Sequence, residues 1–272
     1  MIALAAFLLG LIVGSFLNVL VLRRGAKSLN GRSECFSCGS RIAWYDLIPL
    51  FSWLNLRGRC RSCGSRISVQ YPIVEFVTGA LFCAVALIEL PALPFALALV
   101  IVSLSLAIAV YDIKHTIIPD VWVVLLILAS AAFPVVFDPS ILENWQWYAL
   151  GPVAAALPLA TLWLVSRGAW MGLGDAKLAL AMGFLLGPVA GPYAVMGGFV
   201  IGSVIMLPLL ALSSKKWKTW VREFTPTPVA ARLVWGFTMK SEVPFGPYLI
   251  MSNLAVWSAL LLQYPLPILN TF

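Results

Sequence analysis

Two aspartates lie in strongly apolar surroundings, where a carboxylate is costly by about 2.5–3.5 kcal/mol at a helix centre. Asp112 ends one hydrophobic run, and Asp175 begins another within the motif Gly172-Leu173-Gly174-Asp175. Both stand at the same edge of their runs, so two helices could bring them to one depth. Two close carboxylates can share a proton, which is the arrangement that aspartic proteolysis requires. We therefore predict that Asp112 and Asp175 form a catalytic pair, with the two glycines letting backbone approach Asp175 closely.

Helix capping and interfacial charge are the simpler interpretations of such aspartates. For Asp120, which follows Pro119 at the head of the next apolar run, capping or an interfacial charge is the favoured interpretation. The only histidine, His115, has no recognisable nucleophile near it in the sequence and is interpreted as an interfacial side chain. Glu75, at the head of another run, is interpreted as a polar support.

Four of the five cysteines form two knuckles, Cys35-Phe-Ser-Cys38 and Cys60-Arg-Ser-Cys63, each followed by the phrase Gly-Ser-Arg-Ile. Two such pairs can supply four thiolates to one tetrahedral zinc ion, and four cysteine ligands leave no open position for catalysis. Two disulfides or a redox pair are the alternatives. The sequence favours a structural zinc bound by Cys35, Cys38, Cys60 and Cys63.

The elements that carry these residues are membrane helices. The chain has 272 residues, of which 61% are hydrophobic and 11% charged, whereas soluble domains are about 45–50% apolar and about 25% charged. Uncharged apolar runs predict an all-α polytopic membrane protein in contact with lipid. The eight predicted spans cover residues 2–22, 71–90, 95–112, 118–137, 147–166, 175–187, 192–212 and 245–264.

Charge placement supports eight spans, although the sixth is short. With eight, all 18 Lys and Arg fall at one side: in loops 23–70, 113–117, 167–174 and 213–244 and at Lys177. Lys and Arg concentrate in cytoplasmic loops. The net charge of +7 is therefore attributed to topology, and no nucleic-acid partner is predicted. Both termini are expected outside and the large loops in the cytoplasm.

The predicted organisation has three parts. Residues 1–23 form the first membrane helix, residues 24–70 a cytoplasmic four-cysteine subdomain, and residues 71–272 a helical membrane domain. The segment 213–244, which contains several prolines, is predicted as a loop with one amphipathic stretch.

Taken in order, these motifs resemble those of the type IV prepilin peptidases, and the resemblance covers nearly the whole chain. The opening segment Gly14-Ser15-Phe16-Leu17-Asn18-Val19, the cysteine-rich loop and Tyr71-Pro72-Ile73-Val74-Glu75 are similar to the family's N-terminal features. Asp112 with Ile118-Pro119-Asp120 resembles the first catalytic motif, and Gly172-Leu173-Gly174-Asp175 matches the GxGD motif.

The resemblance implies a bifunctional enzyme of the bacterial inner membrane. Such an enzyme cuts after the glycine that ends the basic leader of a type IV prepilin or type II secretion pseudopilin. It then methylates the new amine with S-adenosylmethionine, and Asp112 and Asp175 would be its catalytic residues. The residues themselves give no sign of methylation, because no glycine-rich methyltransferase loop is present.

Two other functions are compatible with an acidic pair in a membrane. One is a proton-coupled transporter, although clear inverted repeats and paired broken helices are lacking. The other is a GxGD intramembrane protease with different substrates, which the four-cysteine loop disfavours.

Overall fold

A computed structural model describes residues 1–23, 31–213 and 244–262, with side chains 209–213 left out. Its α-helices, in chain order, are α1 Ile2–Arg23, α2 Phe51–Asn55, α3 Gln70–Leu87, α4 Ala92–His115, α5 Asp120–Phe137, α6 Trp145–Ser166, α7 Leu173–Ser213 and α8 Gly246–Leu261. Short 3-10 turns cover Trp44–Leu47 and Pro139–Leu142. The described ranges contain two isolated β-bridges and no longer strand, which confirms the all-α prediction. The predicted amphipathic stretch within 213–244 lies outside the described residues.

Six helices are long and apolar enough to cross a membrane: α1, α3, α4, α5, α6 and the part of α7 that ends at Pro208. Their outer faces expose large apolar side chains such as Ile12, Leu128 and Val204, each more than 60% exposed. Such faces suit lipid, since water would penalise them. The sixteen-residue α8 is apolar but short, at about 24 Å. The prediction of a multi-pass membrane protein is confirmed.

Helix α7 consists of two arms rather than one long rod. Gly187 interrupts it with φ 79° and ψ −173°, a conformation open to glycine. A Cβ on Gly191 would lie 3.1 Å from the Gly183 Cα, whereas eight residues of straight helix span about 12 Å. The chain therefore folds back at Gly187, and residues 173–186 and 188–213 are separate arms. The short sixth span predicted from charge placement is the first of these arms.

Glycines allow the bundle to pack closely. A Cβ on Gly10 of α1 would lie 2.7 Å from the Gly79 Cα of α3, so both backbones meet without side chains between them. Gly151 of α6 and Gly183 of α7 meet in the same way. Small residues at such crossings are typical of membrane helices, where close van der Waals packing holds the helices together.

The helix ends divide into two sets. One set contains the last residues of α1, α4 and α6 and the first residues of α3, α5, α7 and α8. Four basic residues lie at this end: Arg23, Lys114, Arg167 and Lys177. We call this end of the bundle the basic end. It carries the cysteine subdomain and both predicted catalytic aspartates.

Candidate active site and metal site

Asp112 lies one turn before the end of α4 and is 4% exposed. Its carboxylate Oδ2 accepts a hydrogen bond from the backbone N–H of Gly246, at 3.0 Å, at the start of α8. Thr116 ends α4 in the left-handed conformation, and its N–H donates to the Asp112 carbonyl at 2.7 Å. The carboxylate is thus buried against the first turn of α8, whose free N–H groups favour a negative charge.

Asp175 lies in the first turn of α7 and is 8% exposed. Its backbone N–H donates to the Gly172 carbonyl at 3.3 Å. Gly172 and Gly174 were predicted to let backbone approach Asp175, but the structure shows a different role for Gly174. A Cβ on Gly174 would lie 3.0 Å from the Ile118 Cβ, so Gly174 makes room for a side chain of another segment. A Cβ on Gly172 would only touch Asp175 Oδ2, at 3.6 Å.

Ile118 contacts residues next to both aspartates. Its side chain packs on Gly174, next to Asp175, and its Cδ1 would meet a Cβ on Gly246 at 3.4 Å, next to Asp112. The connection between α4 and α5 therefore packs next to both acidic positions. Within the part of the chain that the structure describes, neither carboxylate forms an ion pair.

Asp120 has a partner that the sequence did not suggest. The helix cap is Pro119, and Asp120 is the first residue of α5. Its Oδ1 accepts from the Lys177 Nζ at 2.7 Å, with side chains 70% and 38% exposed. The interpretation as an interfacial charge therefore fits, and the capping alternative does not. The ion pair ties the start of α5 to the helix that begins with Asp175.

The other polar residues of this end fit their predicted roles. His115 is exposed, and its ring lies 4.4 Å from that of Tyr111, centroid to centroid. Glu75 is 6% exposed, and its Oε2 accepts from the backbone N–H of Leu50 at 2.8 Å. This bond attaches the cysteine subdomain to α3 at Leu50, whose φ of 61° and ψ of −52° lie outside the helical and extended regions.

The two cysteine knuckles have the same backbone fold. In the first, the Cys35 N–H donates to the Ser40 carbonyl at 2.9 Å and the Gly39 N–H to the Cys35 carbonyl at 2.8 Å. Cys60 makes the corresponding bonds with Ser65 and Gly64, at 2.8 and 2.9 Å. Gly39 and Gly64 both have φ of 70°, as the turn requires. The repeated phrase in the sequence is thus a repeated turn.

The four sulfurs converge on one point. The sulfurs of Cys35, Cys38, Cys60 and Cys63 all lie within 4.8 Å of one another, and Cys35 and Cys63 are 3.9 Å apart. Four ligands at about 2.3 Å from a tetrahedral zinc would be about 3.8 Å apart. A disulfide needs about 2.05 Å, and all four thiols are free. The donor set therefore fits zinc.

Backbone N–H groups favour the thiolate form of one of the four cysteines. The N–H groups of Cys38 and Ser37, with the Ser65 side chain, lower the pKa of the Cys35 thiol to about 6. Arg61, directly after Cys60, donates two hydrogen bonds to the Asp46 carboxylate, at 2.7 and 2.8 Å. That pair fastens the second knuckle to the turn at Trp44–Leu47, and it lowers the pKa of the Asp46 carboxyl.

Gly246 is the site residue that the sequence did not reveal. It contacts Asp112 across 134 residues of chain, and the intervening segment 213–244 gave no pattern that linked them. The available signal was Phe245-Gly246-Pro247, a glycine directly before a proline at the head of an apolar run.

Comparison with protein-family models gives two matches. Residues 8–88 match the bacterial peptidase A24 N-terminal domain, and residues 99–207 match the type IV leader peptidase family. The first match covers the cysteine subdomain with α1 and α3, and the second covers both aspartates.

Curated relatives from three bacteria are similar to the chain, and each is named "Prepilin leader peptidase/N-methyltransferase". A relative from Myxococcus xanthus is 38% identical over 74% of this chain and 62% of its own length. One from Pectobacterium carotovorum subsp. carotovorum is 33% identical over 90% of this chain and 88% of its own. One from Bacillus subtilis is 34% identical over 74% of this chain and 82% of its own length. No solved structure gives a significant match.

Proposed function

The chain belongs to the type IV leader peptidase family, and on that premise we propose that it removes the leader of a prepilin or pseudopilin by an aspartic mechanism. The predicted enzyme class, a prepilin peptidase with N-methyltransferase activity, is confirmed. One observation carries the proposed mechanism. Two buried carboxylates from different helices, Asp112 and Asp175, lie at one end of the bundle, and Ile118 contacts a residue next to each of them.

In the proposed mechanism the two carboxylates share one proton, because two close like charges in an apolar site cannot both ionise cheaply. The ionised member takes a proton from a water molecule, which attacks the carbonyl of the scissile peptide bond. The protonated member donates to the carbonyl oxygen. Reversed proton transfers then release the amine. Asp112, which already accepts from Gly246, is suited to the ionised role, since that N–H favours the charged form.

We place the basic end of the bundle in the cytoplasm, with the enzyme in the inner membrane. The support is the one-sided distribution of Lys and Arg, which follows the positive-inside rule. Both aspartates lie within two turns of that end. A substrate whose basic leader stays in the cytoplasm and whose apolar helix enters the membrane would present its cleavage site at this depth.

We also propose that Cys35, Cys38, Cys60 and Cys63 hold one structural zinc ion, supported by the convergence of their sulfurs. A zinc with four cysteine ligands stabilises the fold around it and leaves catalysis to other residues. We retain the three-part organisation as a proposal, with a first helix at 1–23, a zinc subdomain at 24–70 and a peptidase domain at 71–272. The Leu50–Glu75 bond would set the position of the zinc subdomain on the peptidase domain.

The relatives' name supports a second reaction, N-methylation of the new amine, for which S-adenosylmethionine is the proposed methyl donor. Mass spectrometry of a prepilin co-expressed with the enzyme tests both reactions together. We expect loss of the leader and a gain of one methyl group at the new N-terminus. An uncut prepilin, with the enzyme present in the membrane, would contradict the proposal and favour a transporter.

A further inference from the structure

We propose that the four-cysteine subdomain rests on the membrane surface and inserts an aromatic patch among anionic lipid headgroups. The patch is formed by the turn Trp44–Leu47, by α2 and by the residue Ile48 between them, and the turn packs against α2. Its exposed large side chains are Trp44, Tyr45, Leu47, Ile48, Phe51 and Leu54. We call these six residues the aromatic patch. Neither the aspartate pair nor the cysteine cluster includes any of them.

The aromatic patch exposes an unusual amount of apolar surface for a segment outside the membrane helices. Trp44, Phe51 and Leu54 are 78%, 63% and 66% exposed. Phe51 and Leu54 are three residues apart on α2, so they lie on one face of that helix. Trp53 points into the subdomain instead, where its Nε1 donates to the Ile67 carbonyl at 3.4 Å. Exposed apolar patches of this kind mark interaction or membrane-contact surfaces.

The bond to α3 places the aromatic patch at the depth of the lipid headgroups. Glu75 accepts from the Leu50 N–H at 2.8 Å, and α2 begins at the next residue. Glu75 is five residues from the basic end of α3, about 7.5 Å. Helix α3 has 18 residues, about 27 Å, and needs its whole length to cross a hydrocarbon core of about 30 Å. Interfacial segments bury their apolar faces by about 5–10 Å, which matches this depth.

The lipid-facing surface of α3 borders the point of attachment. Ile73 and Phe76, on either side of Glu75 in the sequence, are 55% and 54% exposed. Lipid that covers this face of α3 therefore reaches the residue that holds the subdomain. Trp44 and Tyr45 suit such a position, because their rings are apolar while their N–H and O–H groups can bond to headgroups or water. The occupant that follows from this placement is the surrounding membrane.

Basic side chains accompany the aromatic patch and favour an anionic lipid. Residues 31–69 contain six arginines, all exposed, and only two acidic residues. Arg57 and Arg59 follow α2 directly, and the Arg57 N–H donates to the Leu54 carbonyl at 3.1 Å. A zinc ion with four thiolate ligands would add two negative charges and leave the subdomain positive. Arginines near an anionic membrane surface favour binding, whereas the basic leader of the proposed substrate would be repelled.

Site-specific photocrosslinking in the full-length enzyme tests this contact. Phe51→p-benzoylphenylalanine would be irradiated in nanodiscs of mixed phosphatidylcholine and phosphatidylglycerol, and intact-protein mass spectrometry would measure the fraction of chains that carry lipid. We expect at least half the lipid yield of the same label at Leu128, an exposed residue of α5. The matched control is Trp53→p-benzoylphenylalanine, on the same helix but turned into the subdomain. It should carry at least fivefold less lipid than the Phe51 variant.

The choice of anionic lipid has its own test. The lipid yield at Phe51 should be at least threefold higher in the mixed nanodiscs than in pure phosphatidylcholine. Arg57→Gln combined with Arg59→Gln should remove this difference. The matched control, Lys114→Gln combined with Arg167→Gln, removes two charges from the same end of the bundle outside the subdomain, and it should keep the difference.

Equal lipid yields at Phe51 and Trp53 would overturn the proposal. Crosslinking of Phe51 to a second protein chain instead of lipid would also overturn it, since the aromatic patch would then be a protein interface. If the label at Phe51 lowers the thermal unfolding midpoint, Leu54→p-benzoylphenylalanine, on the same face of α2, decides the question by the same criterion. Equal yields in the two lipid mixtures would refute the preference for anionic headgroups.

Discussion

Replacing Gly246 by alanine should impair cleavage while leaving the fold intact. The added Cβ would lie 2.8 Å from Asp112 Oδ2, against about 3.4 Å for an ordinary contact, so an opening of about 0.6 Å is needed. The neighbour is the free end of a side chain, and Gly246 does not have a positive φ. The carboxylate can therefore move, at little cost to the fold.

The movement should be costly for the reaction. It lengthens the 3.0 Å bond from the Gly246 N–H to Asp112, and hydrogen bonds to charged groups contribute about 1.5–3 kcal/mol. A misplacement of about 1 Å can cost ~10²-fold in rate. We expect kcat/KM for prepilin cleavage to fall between about 10-fold and about 10²-fold, with an unchanged thermal unfolding midpoint.

Gly172→Ala is the matched control, because its Cβ would meet the other carboxylate, Asp175, at an ordinary 3.6 Å. It should cleave within about threefold of wild type. Both variants would be assayed by single-turnover cleavage of a purified prepilin. Wild-type cleavage by Gly246→Ala, or equal losses in both variants, would refute the idea that Gly246 sets the position of the Asp112 carboxylate.

Three further outcomes are expected. Asp120→Asn should slow cleavage by less than about fivefold, because an exposed ion pair contributes about 0–1 kcal/mol. The double variant D120K/K177D, which exchanges the two charges, should regain the lost activity at low salt. Failure to regain it would argue against the ion pair. Purified protein should carry about one zinc per chain by atomic emission, and C35S/C60S should lose it; full occupancy in that double variant would exclude these ligands. Single cysteines placed at Ser68 and Ser140, in a background without native cysteines, should react with a membrane-impermeant thiol label from opposite faces of the membrane. Labelling of both positions from the same face would refute the eight-span topology.

The sequence predicts features that depend on residue type and local spacing. The cysteine knuckles were recognisable because each is a self-contained turn with a repeated phrase, and their 21-residue separation permits one metal site. The two arms of α7 were separable because only a reversal near Gly187 leaves Lys177 and the later basic loop on one side. Asp112 and Asp175 stood out because carboxylates are rare beside long apolar runs.

Contacts between distant segments were not predictable in this way. The Asp112–Gly246 bond spans 134 residues and the Asp120–Lys177 pair spans 57, and neither leaves a periodic pattern. Gly174 illustrates the same limit. Its small size suggested a backbone approach to the neighbouring aspartate, but the residue it accommodates is Ile118, which only the packing of α7 against the α4–α5 connection brings near.

The shared-proton mechanism of Asp112 and Asp175 is tested most directly by conservative substitution of each carboxylate. Asp112→Asn and Asp175→Asn keep the side-chain shape and remove the group that exchanges the proton. Purified variants, incubated with a prepilin and followed by mass spectrometry, should show no leader removal, while methylation of a pre-cleaved pilin should survive. Asp→Glu at either position should also fail or be badly impaired, because the carboxylate moves by about 1 Å. Normal cleavage by either asparagine variant would contradict the aspartic mechanism.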